Sequence, residues 1–228
     1  MSRKRKEFPG LEIDNDRAEE HFEFYDVHLR EYYKKALQAL YELKDLEGRI
    51  LEIGSGPGVF GMMLCDRSEF STVVGLESSG TLIRIGEVVS VREGYGGRLS
   101  FRLWDGDGLP FEDDEFDAVV SLFSLHRWPK PDNILLEIER VRKSDSVVMI
   151  TDFRRDRFLS PFSFSAGVLG LGMGGINSSN LKNSLKSSYT VAELEDMIRA
   201  AGITNWNITK NGRLLSVMTP PAPSADDA

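Results

Sequence analysis

Cysteine is nearly absent from this sequence. Cys65 stands alone among 228 residues, so no disulfide can form within the chain and no thiol cluster with zinc spacing exists. A reducing, cytoplasmic setting is expected. Long apolar runs are missing too: no stretch approaches the roughly 20 uninterrupted apolar residues of a membrane span, and the first residues lack the apolar segment of a signal peptide. No membrane span is therefore expected. Basic charge is in deficit, with 28 Lys and Arg against 36 Asp and Glu and a net charge of -8. Since Arg3, Lys4, Arg5 and Lys6 cluster at the start, where they read as a solvated end, the body is more acidic still. Such a body repels phosphate backbones and argues against nucleic acid as a partner. Histidine is scarce as well. His21 and His28 share a helical face, but no third ligand is in step with them, so no metal site is expected.

What remains is enough for one core. The chain is 41% hydrophobic and has a length at which α/β sheets commonly stay a single domain. From about Asp16 to Leu46, Phe22, Tyr25, Leu29, Tyr32, Ala36, Leu40 and Leu43 recur at three- and four-residue steps, the period of an amphipathic helix. Arg49 to Ile53 reads as a buried strand that stops at glycines, and a helical pattern resumes at Val59 to Cys65. Strand patterns follow near Thr72 to Leu76, Leu99 to Leu103, Asp117 to Leu122 and Ser146 to Thr151, with helical stretches near Thr81 to Val91 and Asp132 to Arg142. Strands alternating with helices imply parallel pairing and right-handed crossovers. Thr190-Val191-Ala192-Glu193 is a capping box opening a further helix, and Gly202 suits its C′ position. Two short strands, Trp206 to Thr209 and Leu214 to Met218, flank the hairpin signal Asn211-Gly212. Ser160 to Ser188, rich in Gly and Ser, is too long for an ordinary connection and reads as a mobile lid or as disorder.

Chemistry concentrates at strand ends. Ile53 is followed by Gly54-Ser55-Gly56-Pro57-Gly58, glycines at alternate positions that let the chain turn sharply and a ligand approach. Gly56 to Gly61 also spells the GxGxxG of nicotinamide and flavin folds. Glu77 closes the second strand, where a carboxylate can accept both hydroxyls of a ribose. The third strand ends in Asp105-Gly106, which can read an adenine edge through the carboxylate and a backbone N–H. Glu52, placed immediately before the glycines, would repel a pyrophosphate and suit the ammonium and sulfonium charges of S-adenosylmethionine.

The segments Leu51 to Gly58, Gly75 to Ser79, Asp105 to Phe111 and Phe116 to Ser121 leading to Leu125-His126 together resemble class I methyltransferases, especially the branch acting on small molecules that includes ubiquinone and menaquinone biosynthesis enzymes. That resemblance implies a Rossmann-like, seven-stranded, mostly parallel α/β sheet with an antiparallel C-terminal hairpin strand and helices on both faces. It also implies that Glu52, Gly54, Ser55, Gly56 and Gly58 border the methionine end of S-adenosylmethionine. Glu77 would hold the ribose with Ser78 beside it, Leu82 would line the adenine, Asp105 and Gly106 would read it, and the backbone near Ser121 would meet the methionine amine. The product is then S-adenosylhomocysteine. Departures from the pattern are Ser78, Gly80 and Arg127, the last where the quinone-type enzymes often have a second histidine.

Residues 1–47 are thus expected to form a tail and cap helix, 48–219 a methyltransferase domain with a lid or loop insertion at 160–188, and 220–228 a disordered tail. The expected reaction is in-line methyl transfer to a small organic acceptor, with His126 as the candidate base. Methylation of RNA or protein is one alternative. A nucleotide-binding or oxidoreductase protein is another, although no tyrosine has a lysine four residues later as a short-chain dehydrogenase requires.

Overall fold

The computed structural model describes residues 5–9, 18–158 and 178–219. The chain runs from α1 (Ala18–Leu43) into β1 (Gly48–Ile53), α2 (Val59–Arg67), β2 (Ser71–Glu77), α3 (Gly80–Arg92), β3 (Leu99–Leu103) and β4 (Phe116–Leu122). It continues through α4 (Pro131–Val141), β5 (Arg142–Phe153), α5 (Ser178–Ser187), α6 (Val191–Ala200), β6 (Asn207–Asn211) and β7 (Leu214–Met218). The sheet order is β3-β2-β1-β4-β5-β7-β6. β1 pairs in parallel with β2 on one side and β4 on the other, so the chain reverses its direction of travel across the sheet there. That switch point opens a crevice at the carboxyl ends of β1 and β4, the place where open α/β sheets receive ligands. β7 alone runs against its neighbours, antiparallel to both β5 and β6.

Strand alternation divides the core between two faces. Ile50, Val73, Val120 and Val147 pack with Leu29, Leu40, Phe60 and Leu64 of α1 and α2. Leu51, Ile53, Val119 and Val148 pack with Ile134, Ile138, Leu194 and Ile198 of α4 and α6. Helices therefore cover both faces, and the central strands, dry on both sides, are continuous apolar runs.

Several local expectations change. β5 starts at Arg142 directly after α4, four residues ahead of Ser146, and Arg142 is held there by Glu139 at 2.8 Å. The hairpin turn is Gly212-Arg213, with Asn211 still paired to Leu214. Only Gly212 of the two has positive φ, at 57°, which matches a turn needing glycine at its first position. Ser178–Ser187 is a helix, α5, where an irregular segment is expected from composition; the rest of the expected lid, residues 160–177, lies outside the described residues, as does the tail at 220–228. The capping box forms as expected: Glu193 N donates to Thr190 Oγ1 at 3.2 Å and Thr190 N to Glu193 Oε2 at 2.8 Å. The basic start is not simply a solvated end. Arg5 Nε donates to Ser187 O at 2.7 Å, Arg5 Nη2 donates to His126 O at 3.2 Å, and the guanidinium lies 4.2 Å over the Tyr189 ring.

Candidate cofactor and active site

The glycine turn is stapled to β2 before any side chain acts. Gly54 N and Ser55 N both donate to Leu76 O, at 2.8 and 3.0 Å. Gly54, Gly56 and Gly58 all have positive φ, at 76°, 55° and 79°, a region that L side chains resist. Space forbids side chains there as well: a Cβ on Gly54 would lie 2.3 Å from Ser124 Cβ, and one on Gly58 2.5 Å from the Phe101 ring. Glu77, 1% exposed, then organises two loops at once. Its Oε2 accepts from Gly56 N at 3.0 Å, while Oε1 accepts from Ser78 N at 2.8 Å, Ser78 Oγ at 3.1 Å and Ser79 N at 3.0 Å.

Beside this turn lies a cavity of about 180 Å³, whose wall includes Gly54, Glu77, Ser78, Asp105 and Gly106 from the ends of β1, β2 and β3. Trp104, Ser124, Arg127, Trp128 and Pro129 complete the lining. Asp105 Oδ1 accepts from Asp107 N at 3.0 Å, a turn bond that fixes the carboxylate. Gly106 has φ 89°, and a Cβ there would sit 2.7 Å from Pro129. The wall thus holds two carboxylates, indole and proline surface, and glycines against which a ligand can lie close. A nucleoside fits that chemistry: one acid for vicinal hydroxyls, one acid with a neighbouring amide for a base edge, and flat apolar surface for its faces.

Five of the eleven expected cofactor residues therefore meet at one cavity: Gly54, Glu77, Ser78, Asp105 and Gly106. The others lie off its wall. Ser55, 4% exposed, packs down toward β2, where a Cβ on Gly75 would strike its Oγ at 2.6 Å. Gly56 sits under the Tyr25 ring, Gly58 caps α2, and Leu82 is wholly buried in the first turn of α3. Ser121 is fully buried, its Oγ 2.8 Å from Ser124 Oγ.

Glu52 corrects the charge argument made from sequence. Strand alternation turns its side chain toward α2, with Oε2 3.0 Å from where a Cβ of Gly61 would lie, and Oε2 has no partner among the described residues. Burial, and after it the nearby Glu77, push its carboxyl up to about 8. Near neutral pH it is mainly uncharged, so it sets no charge preference at the cavity.

Ser124, Arg127, Trp128 and Pro129 carry no motif of their own, and sequence reading missed them as lining residues. Ser124 Oγ donates to Ile53 O at 2.8 Å and accepts from Trp128 Nε1 at 3.1 Å, tying the end of β1 to the turn after β4. Arg127 reaches back over the glycine turn, its Nη2 3.4 Å from the Cβ position of Gly54. Burial pulls its pKa down, but Tyr25, Glu77 and Asp152 outweigh this and leave it raised.

His126 is 2% exposed. Its Nδ1 lies 2.9 Å from both Asp152 oxygens, which also accept from His126 N at 2.8 Å and Phe153 N at 2.7 Å. A carboxylate in that role accepts, so Nδ1 carries a proton. Nε2 has no partner among the described residues. The Phe8 ring packs on the imidazole in a T-shaped contact with centroids 5.5 Å apart, the Phe153 centroid lies at 6.5 Å, and His126 is not part of the cavity wall. The arginines after β5 are engaged within the protein: Arg154 with Asp156 at 2.6 Å, and Arg155 with Glu193 and with Ser188 O at 2.9 Å. Among the described residues no group of three His, Cys, Asp or Glu is arranged to hold a metal, and no helix is long and apolar enough to cross a membrane.

Comparison with known proteins finds methyltransferases. A family model described as a methyltransferase domain matches residues 51–150. The chain is similar to an uncharacterized chloroplastic methyltransferase of Arabidopsis thaliana, with 30% identity over 170 residues, 73% of this chain and 46% of that protein. It is also similar to a ubiquinone/menaquinone biosynthesis C-methyltransferase of Geotalea daltonii, with 28% identity over 113 residues, 49% of this chain and 48% of that protein. The chain thus spans about half the length of these curated relatives. Its fold is similar to the crystal structure of a SAM-dependent methyltransferase from Aquifex aeolicus, with TM-score 0.66 and 16% identity over 92% of this chain and 100% of that one.

Proposed function

We propose that this chain, which matches a methyltransferase-domain family model over residues 51–150, is a class I S-adenosylmethionine-dependent methyltransferase that transfers a methyl group to a small organic acceptor by direct in-line displacement. One observation carries the reading: a single cavity gathers Glu77, Asp105, Gly106 and Gly54 from three neighbouring strand ends. Glu77, anchored by amides at 2.8 to 3.0 Å and by Ser78 Oγ at 3.1 Å, keeps a lone pair on Oε2 for a ribose hydroxyl. Asp105 and the Gly106 amide take the adenine edge, while Trp104, Ser78 and Pro129 lie along the base. Gly54 leaves the turn bare for the amino-acid tail, and Ser55, Gly56, Gly58, Leu82, Ser121 and Glu52 support that surface from behind.

When bound, S-adenosylmethionine supplies a methyl group already activated on a sulfonium, so the protein's task is alignment and exclusion of water. His126, oriented by Asp152, is the base for the acceptor's proton only if the Phe8 ring moves aside, since the imidazole is buried and off the cavity wall. The acidic body and the engagement of Arg5 with Ser187, His126 and Tyr189 favour a small acceptor over nucleic acid. A buried lone cysteine goes with a reducing, cytoplasmic setting.

Calorimetry on the full chain tests the donor assignment. S-adenosylhomocysteine should bind and NAD should not; the reverse preference ends the proposal. Glu77→Ala should weaken S-adenosylhomocysteine roughly 10- to 100-fold, the scale of losing one charge-assisted hydrogen bond. Unchanged affinity would place the ribose elsewhere.

A further inference from the structure

Arg127 lines the cavity, yet among the described residues no carboxylate comes within ion-pair distance of its guanidinium. The two acids that influence it, Glu77 and Asp152, are both committed elsewhere. Glu77 holds the amides of Gly56, Ser78 and Ser79 at 3.0, 2.8 and 3.0 Å. Asp152 holds the imidazole of His126 and the amides of His126 and Phe153 at 2.7 to 2.9 Å. Tyr25, uncharged, is the neighbour with the largest electrostatic influence on Arg127. The Tyr25 ring lies across Gly56, 2.9 Å from where a Cβ would stand, and the Arg127 guanidinium approaches the corresponding position of Gly54. A partly buried cation so placed, with bare glycine backbone beneath it, is set to receive an anion from a ligand.

We propose that Arg127, steadied by Tyr25, is the anchor for the carboxylate of the methyl donor's amino-acid tail. The inference rests on the donor assignment above and adds a specificity-determining residue to it. The path from Asp105 past Glu77 to Gly54 crosses the ends of β3, β2 and β1 in order. With the base at Asp105 and the sugar at Glu77, the tail of the donor comes to Gly54, where the guanidinium waits. Arginine offers two parallel N–H groups to a carboxylate, a geometry that lysine lacks.

The test compares two ligands that differ in this tail. S-adenosylhomocysteine carries it and 5′-methylthioadenosine does not. In calorimetry on the full chain, Arg127→Gln should weaken S-adenosylhomocysteine roughly 10- to 100-fold and leave 5′-methylthioadenosine within about twofold. Arg127→Lys, which keeps the charge and loses the fork, should give an intermediate loss for the first ligand alone. Unchanged affinity for S-adenosylhomocysteine, as expected if Arg127 instead meets an anionic acceptor, overturns the anchor. Equal weakening of both ligands by Gln and Lys also overturns it. If the unaltered protein binds neither ligand, the donor assignment itself has failed, a result distinct from either of these.

Discussion

The two sides of the crevice are built differently. On the β1 to β3 side, most side-chain bonds are short in sequence: Glu77 holds Ser78 and Ser79, and Asp105 holds Asp107, with only Gly56 reached across 21 positions. On the β4 to β5 side, contacts join distant segments. His126 meets Asp152 across 26 positions, and Arg5 reaches His126 and Ser187 across 121 and 182. The first side is a set of backbone conformations that particular residues require; the second exists only once the whole chain has folded. This difference predicts that damage on the first side falls on stability and donor binding, and damage on the second on turnover.

Glu52 gives the largest expected effect and the sharpest test of how dry the glycine-turn side is. Its carboxyl ionises near 4.5 in the unfolded chain and at about 8 in the folded one. Between those values the folded state holds the extra proton, so stability falls as pH rises from about 4.5 to about 8 and levels off above. The loss is bounded at about 5 kcal/mol. Glu52→Gln removes the titration, so urea midpoints of the natural protein should drop relative to the variant between pH 5 and pH 8. Parallel pH curves for the two proteins would mean that Glu52 is as well hydrated folded as unfolded.

His126 probes the opposite side. Substituting glutamine should lower kcat about 10²- to 10³-fold once an acceptor is found with labelled donor, the usual range for loss of a positioned base. S-adenosylhomocysteine affinity should stay within about twofold. A loss of donor affinity as large as the loss of kcat would merge the two sides and remove the distinction drawn between them.

How much was legible in the sequence follows the same division. The alternation of strands and helices, the glycine turn, Glu77, Asp105 and Gly106 could all be read, because each depends on short-range rules: positive φ, strand ends, turn chemistry. Glu52 was legible as a residue but not in its charge, since the facing of one strand position and the dryness behind it are tertiary facts. Arg127 and Ser124 were visible only as a departure from a family pattern and an ordinary serine. No local rule says that one will overhang Gly54 and the other bridge to Ile53 O at 2.8 Å. The docking of Arg5 was masked by its charge, which composition assigns to solvent while the fold gives it Tyr189 and two carbonyls.

Phe8 carries the smallest expected effect and bears most directly on whether the histidine side stands apart. Its ring meets the His126 imidazole in a T-shaped contact, centroids 5.5 Å apart, worth about 0.5 to 1.5 kcal/mol. Phe8→Ala should therefore cost about 1 kcal/mol in urea stability. It should also admit water beside the imidazole, which competes with the acceptor and raises its KM a few-fold. Donor affinity, set by Glu77, Asp105 and Arg127, should not change. If Phe8→Ala weakens S-adenosylhomocysteine while sparing the acceptor's KM, the amino-terminal segment serves the donor cavity, and the partition of the crevice into a locally encoded side and a long-range side is wrong at that point.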